Sequence, residues 1–513
     1  MAPRTRIRPP FTWLGDHAAL ASVVSTVIVA AFFRFFQLTT LPPGVYSTAA
    51  SSGLQALALI HHGTWPMLTS DSGYASIWVF LQAIAIKILG PTELALRLWP
   101  AILGTLAVLT TWLWVRSWLG LRAAWLASFL LAVTPWAVTI SRNGDETALY
   151  PLITSLTLWL ATLAWRKRSI GVSLALAVVI IVDLLSGPIG WLLVAAVAVI
   201  GVSTRLRAKQ LLSIDSSRIV VGVGAIAGLA TLVFAIRGSF AQIKLLPGFL
   251  ALPTSVGSFF STIGQTLLMF NGAGDQSYRH NLAGEPMLNA FVGLMFVAGI
   301  LVALSRFHER LYRHLLFLLV VLLLPALLST TGAPNAAHAA ATLPVVLALA
   351  AVGISYMLDL WYKTFPINSA ARVTGQAAIL VLLALTVFQG YAQYFEAWAG
   401  SSPVYVAYNE GAVQIGLGLK TDKFTGARYV LANTEEVPVV EYLAYGANPY
   451  IATSATGLTT LPVLTSPKQF WITTSQRDTA VKNLKLKYPG GVLVPHYSTF
   501  NQAEIYYTYE VSK

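Results

Sequence analysis

The sequence predicts an all-α polytopic membrane protein of about eleven transmembrane helices, followed by a C-terminal extracytoplasmic α/β domain. Three observations predict it. Hydrophobic residues make up 56% of the 513 and charged residues only 10%, a balance that water-soluble globules do not show. Apolar stretches long enough to span a bilayer alternate with short connectors. Every second connector is loaded with cations, from Arg4, Arg6 and Arg8 through Arg116 and Arg122, Arg166 to Arg168, Arg205 to Arg218, and Arg306 to Arg313, ending with Lys363 and Arg372. Lys and Arg at span ends stay cytoplasmic. The amino terminus is therefore expected in the cytoplasm of a multi-pass plasma-membrane protein, with the cation-poor connectors outside.

The first apolar stretch, 17–38, is followed by no clear small-residue cleavage site and is expected as an uncleaved anchor. Further spans are expected at 98–115, 120–140, 147–165, 169–185, 188–204, 219–236, 288–305, 314–329, 337–358 and 372–394. The stretch 76–90 is apolar but would reverse the sidedness of every later basic connector if it crossed. It is read as a helix lying on the outer surface. The expected domains are a transmembrane unit, 1–395, with outer loops 39–97 and 237–287, and an extracytoplasmic unit, 396–513. In the latter, 428–433, 468–474 and 504–511 read as β-branched and aromatic strands, and 437–446 and 477–491 as helices.

The net charge of +13 sits largely in the basic connectors, where it sets topology and meets anionic lipid. Nucleic acid is therefore not an expected partner. With no Cys, disulfides, thiolate nucleophiles and Cys-ligated metals are excluded. No internal repeat is visible and the spans hold almost no ionisable groups, both of which count against a transporter.

Four outer polar clusters remain. They are the first loop with Leu41-Pro42-Pro43-Gly44-Val45-Tyr46, the connector 141–150 (SRNGDETALY), the run 270–288 with Gly274-Asp275 and Tyr278-Arg279-His280-Asn281, and the loop 329–344 with Asn335 and His338. The order LPPG, FLQA, GPTELALRL, TPW, SR and GD..YRHNL.G.P resembles the protein O-mannosyltransferase and aminoarabinose-transferase superfamily of membrane glycosyltransferases. That resemblance implies a GT-C type fold. It also implies transfer of a sugar, with inversion, from a polyprenyl-phosphate donor at the outer face of the bilayer.

Such a transfer needs a carboxylate to take the acceptor's proton and cations to hold the leaving phosphate. Relatives place an acidic pair just after the Pro-Gly-aromatic turn, where Ser47-Thr48-Ala49-Ala50 stands, and a Glu where Gly73-Tyr74-Ala75-Ser76 stands. A His and an Arg common in their last short loop map near Asn335 and His338. The candidate base or metal ligand is therefore Asp145, Glu146 or Asp71, with Asp275 a further outer acid. The candidate phosphate-holding residues are Arg142, Lys244, Arg279 and His280. A divalent cation is the cofactor considered, with no ligand set assigned. Two readings stay open: an enzyme in which another outer acid has taken over, or a non-catalytic relative serving as scaffold or lipid-binding subunit beside a protein partner. The acceptor is not specified.

Each residue also has a plainer reading. Asp145 and Glu146 would mark a helix start, and Arg279 and His280 would solvate a loop. Lys244 and Arg237 would snorkel, Arg97 would anchor a span, and His338 would be a satisfied interior histidine. Asp183 is either an intramembrane functional acid or an end-of-helix residue. His61 and His62 belong to a loop helix, with no acid spaced to complete a metal site.

Overall fold

The computed structural model describes residues 17–63, 76–167, 169–206, 255–329, 332–460 and 467–511. The span expected at 219–236 lies outside the described residues, as do Asp71, Arg237 and Lys244. Elsewhere a helix stands at each expected apolar stretch. In order these are Ala18–Phe35, Glu93–Leu119, Leu121–Val133, Leu149–Lys167, Ile170–Leu185, Pro188–Leu206, Ala290–Ser305, Arg310–Leu327, Leu343–Thr364 and Ser369–Tyr391. Six helices among the described residues are long and apolar enough to cross a membrane.

The stretch expected as one span at 120–140 is two helices. Leu121–Val133 stops at Thr134, whose ψ of 125° is extended, and a short helix Pro135–Ile140 follows. Pro135 has no N–H to give and disfavours helical backbone in the residue before it. The segment at 76–90 forms the 14-residue helix Ser76–Leu89. It is buried along one face through Trp78, Val79, Gln82, Ala83 and Ile86, packed against helix Ser47–His62 and helix Glu93–Leu119.

Helices in lipid gain little from hydrophobic burial against one another and approach closely where side chains are small. Helices Ala290–Ser305 and Leu343–Thr364 show this. A Cβ on Gly299 would strike the Leu349 carbonyl, and one on Gly353 would strike the Met295 carbonyl and lie 3.0 Å from the Gly299 nitrogen.

Three buried arginines tie the bends between helices. Arg34 donates to the Leu131 and Ala132 carbonyls, both at 3.0 Å, which end helix Leu121–Val133. Arg142 donates to the carbonyls of Phe33 at 2.9 Å, Arg34 at 3.0 Å and Leu41 at 3.1 Å, where helix Ala18–Phe35 ends. Arg97 pairs with Glu93 and donates to the carbonyls of Leu38, Thr39 and Gly44. The last carbonyls of a helix have no partner within it, and a cation suits that negative end.

The C-terminal sheet has strands β1 (Ala427–Leu431), β2 (Ile451–Thr453), β3 (Lys468–Thr473), β4 (Val492–Tyr497) and β5 (Glu504–Val511), in the order β2-β1-β3-β5-β4. β1 pairs in parallel with β2 and β3, while β5 runs antiparallel to β3 and β4. The expected strands and helices are present; β2, β4 and the helices Ser402–Ala407 and Glu410–Thr421 are additional. This unit does not stand apart. Val413, Ile415, Val440, Tyr442, Leu443 and Trp471 share one core with Val45, Ala49, Leu57, Val79, Ile86 and Leu96 of the first loop region. Tyr442 also donates to the Thr92 carbonyl at 3.1 Å.

Gly353→Leu should cost about 1–3 kcal/mol by overpacking the helix crossing. Thermal unfolding in detergent checks this, and an unchanged midpoint would contradict the close approach.

Candidate active site

The site is built where the bends tied by the arginines meet the C-terminal unit. In the connector after Ile140, Gly144 has φ +83°, which a side chain would resist. The turn it permits places Asn143 and Asp145 on opposite tasks. Asn143 donates to the Arg279 carbonyl at 2.7 Å and accepts from the Tyr408 hydroxyl at 2.5 Å. It thereby joins the connector to the loop 271–289 and to the C-terminal segment.

Asp145 caps the short turn Glu146–Ala148. Its Oδ1 accepts from the Thr147 backbone at 3.1 Å and also from the Thr147 hydroxyl. The carboxylate is 7% exposed. Burial pushes it above the usual carboxylate range, against the pull of the Thr147 bonds and of the charges on His280 and Arg279. The helix-start reading is therefore realised at Asp145, and the same residue is the buried acid of the cluster. Glu146, half-buried beside it, accepts from the Tyr150 hydroxyl at 3.4 Å.

Arg279 lies over the Tyr46 ring at 3.7 Å from its centre, donates to the Tyr46 hydroxyl, and pairs with Glu435 at 3.2 Å. Its side chain is 26% exposed. Burial raises the Tyr46 phenol above its usual range although the Arg279 charge opposes this. His280 sets Nδ1 against Asp275 at 3.0 Å. Asp275 also accepts from the backbone of Ser277 and of Ala336, each at 2.8 Å. Burial alone would raise Asp275, but the His280 contact and the two N–H donors hold it below the usual carboxylate range. His338 bonds Ser329 at 3.1 Å through Nδ1. Burial, reinforced by the His280 charge, holds it below the usual imidazole range.

The structure thus brings Asp145, Glu146, Arg279 and His280 together. Arg142 takes another place. It is fully buried with both terminal nitrogens on backbone carbonyls and its guanidinium about 5.2 Å from the Tyr394 ring, so it forms the floor beneath the connector. Asp183 is buried away from this cluster, accepting from Thr157 at 2.7 Å through Oδ2. His61 stacks on Tyr445 at the far end of its helix. Tyr46, Asn143, Tyr408 and Glu435 were missed as site residues. Tyr46 and Asn143 lie inside the quoted motifs, whereas Tyr408 and Glu435 carry no local signal. Among the described residues no three His, Asp or Glu side chains converge as metal ligands.

The family model for dolichyl-phosphate-mannose-protein mannosyltransferases matches residues 77–234, under a third of the chain. Solved structures match over nearly all of it. ArnT from Cupriavidus metallidurans bound to undecaprenyl phosphate is 12% identical, with 98% of each chain covered and a TM-score of 0.55. The apo state of that protein is 13% identical, with 96% of this chain and 98% of that chain covered and a TM-score of 0.59. The archaeal oligosaccharyltransferase AglB from Archaeoglobus fulgidus, in complex with an inhibitory peptide and a dolichol-phosphate, is 15% identical over 96% of this chain and 74% of that one, at 0.57. Among proteins of curated function none matches the sequence. The fold is that of the GT-C membrane glycosyltransferases represented by these structures.

Arg142→Ala should unfold at a lower temperature, by about 3 kcal/mol, because it strips donors from buried helix-end carbonyls. Arg142→Lys should not restore it, since one ammonium cannot span three carbonyls. Unfolding midpoints of the purified variants check this; wild-type stability in Arg142→Ala would overturn the role.

Proposed function

We propose that this protein is a membrane glycosyltransferase that uses a polyprenyl-phosphate-linked sugar at the outer face of the plasma membrane. The observation that carries the reading is the meeting, at one end of the bundle, of the buried Asp145 carboxylate with the partly exposed Arg279 guanidinium and His280 ring. About eleven spans, a cytoplasmic amino terminus and an extracytoplasmic C-terminal unit from about residue 396 accompany it, on the sidedness of the basic connectors. The solved relatives carrying undecaprenyl phosphate and dolichol-phosphate support a lipid-phosphate ligand.

In this reading Arg279 and His280 hold the phosphate, with Lys244 a further candidate. Asp145, with Glu146 beside it, takes the proton of the acceptor hydroxyl. That oxygen bonds to the anomeric carbon as the bond from that carbon to the phosphate oxygen breaks, and polyprenyl phosphate leaves with the electron pair. Burial that raises the Asp145 carboxyl improves it as a base, and the cations offset the charge gathering on the leaving group.

A second reading is favoured by two observations. Helix Ser47–His62 opens on Ser47, Thr48, Ala49 and Ala50 with no acid in its first turn, and Arg279 is already paired with Glu435. It makes the chain a non-catalytic scaffold or lipid-binding subunit with a protein partner, and it predicts a stable complex and no turnover.

The test is release of polyprenyl phosphate from a panel of labelled donors by purified protein in nanodiscs. Turnover by wild type should fall about 10²–10⁴-fold in Asp145→Asn. The base works as carboxylate, so activity rises as pH climbs through its pKa. Because that pKa is raised, the acidic limb should lie above the ordinary Asp range and vanish in Asp145→Asn. Full activity in that variant would remove Asp145 from the mechanism, and absent turnover with every donor would favour the second reading.

A further inference from the structure

We propose that Asp275 is a positioning residue that fixes the ring orientation and tautomer of His280, so that Nε2 is the atom offered to the ligand. The inference deepens the donor-site reading above and rests on it for what Nε2 meets. The geometry is specific. Asp275 is 5% exposed and sits where two loops touch. Its Oδ1 takes the Ser277 N–H of its own loop, while its Oδ2 takes both the Ala336 N–H of the loop 332–342 and Nδ1 of His280.

A carboxylate held below the usual range is ionised at neutral pH and can only accept. The proton on the His280 ring facing it must therefore be on Nδ1. The other ring nitrogen takes no hydrogen bond among the described residues, and the side chain keeps 13% exposure. His280 lies close enough to Asp145 and to His338 to act electrostatically on both. When the ring is neutral, Nε2 carries the lone pair that Asp275 leaves uncommitted. When the ring takes a second proton, Nε2–H donates to a phosphate oxygen while the Asp275 carboxylate offsets the charge. This division of labour explains a buried outer carboxylate that is unsuited to be the base. All of its described hydrogen bonds are committed to holding other groups, and its conjugate proton would have nowhere to go without breaking one.

The same bonds also staple two loops, so the test must separate orientation from stapling. Nitrogen-15 histidine NMR of the full-length protein in nanodiscs reads the tautomer directly, with His280→Gln assigning the resonance. At a pH where the ring is neutral, wild type should show the Nδ1–H tautomer. Asp275→Ala should shift it toward Nε2–H, because no acceptor then holds the proton on Nδ1, and Asp275→Glu should retain the wild-type tautomer. An Nε2–H tautomer in wild type, or no change in a folded Asp275→Ala protein, would overturn the proposal.

A double-mutant cycle on donor binding supplies the second arm. Asp275→Ala should weaken binding about tenfold, and the loss should disappear in the His280→Gln background. An undiminished loss there would mean that Asp275 acts only by stapling the loops. Absence of donor binding by wild type would sink the donor-site reading instead, and the tautomer result would still decide the role of Asp275.

Discussion

The whole arrangement depends on buried guanidinium groups satisfying main-chain carbonyls at two helix ends and in the loop that follows the first helix. Packing those bends inside the protein leaves their carbonyls without water, and each unsatisfied group costs kilocalories. Arg34, Arg97 and Arg142 meet this need with several donors each, a task matched to the fork of arginine rather than the point charge of lysine. Burying a cation is itself costly. Here the cost is offset by multiple hydrogen bonds, the negative ends of two helices, the Glu93 carboxylate, and the Tyr394 and Phe395 rings beneath Arg142.

From those ties the position of the site follows. Arg142 and Arg97 fix the chain from Phe33 to Gly44, which sets Tyr46 at the opening of helix Ser47–His62. Arg142 also anchors the connector whose next residues are Asn143 and Asp145. The loop 271–289 is then held from two sides, by Asn143 and Tyr408 at the Arg279 carbonyl and by Asp275 against Ala336. The C-terminal unit completes the enclosure. It reaches Tyr46 through the Arg279–Glu435 pair and shares its apolar core with the first loop. A site assembled from this many separated segments is rigid only when all of them are docked, which suits preorganised electrostatics better than a flexible loop would.

Much of the fold was legible because lipid imposes it. The apolar stretches at 98–115, 147–165 and 372–394 could only be helices, and β-branched and aromatic content at 504–511 marked β5. What escaped the reading depends on local exceptions or on tertiary contact. Pro135 split a stretch whose hydropathy is continuous. The helix expected at 76–90 is present, but the bonds its buried Trp78 and Gln82 make to Ser52, Leu96 and Gly144 are tertiary contacts that no local pattern displays. Among the candidate site residues, Asp145, Glu146, Arg279 and His280 stand in polar runs that the sequence displays, and the structure gathers them in one cluster. Arg142 looked equally polar, yet its partners are main-chain carbonyls, which no sequence pattern displays. Tyr408 and Glu435 stand in an ordinary soluble-looking segment, and only docking brings them to Arg279.

The account turns on the cluster around Arg279 being a site for a polyprenyl-phosphate sugar. The most direct measurement is a thermal-stabilisation titration of the purified protein with a panel of such donors, set beside Arg279→Ala. The account predicts saturable stabilisation by at least one donor and its loss in Arg279→Ala. No stabilisation by any donor, or equal stabilisation of the variant, would contradict it.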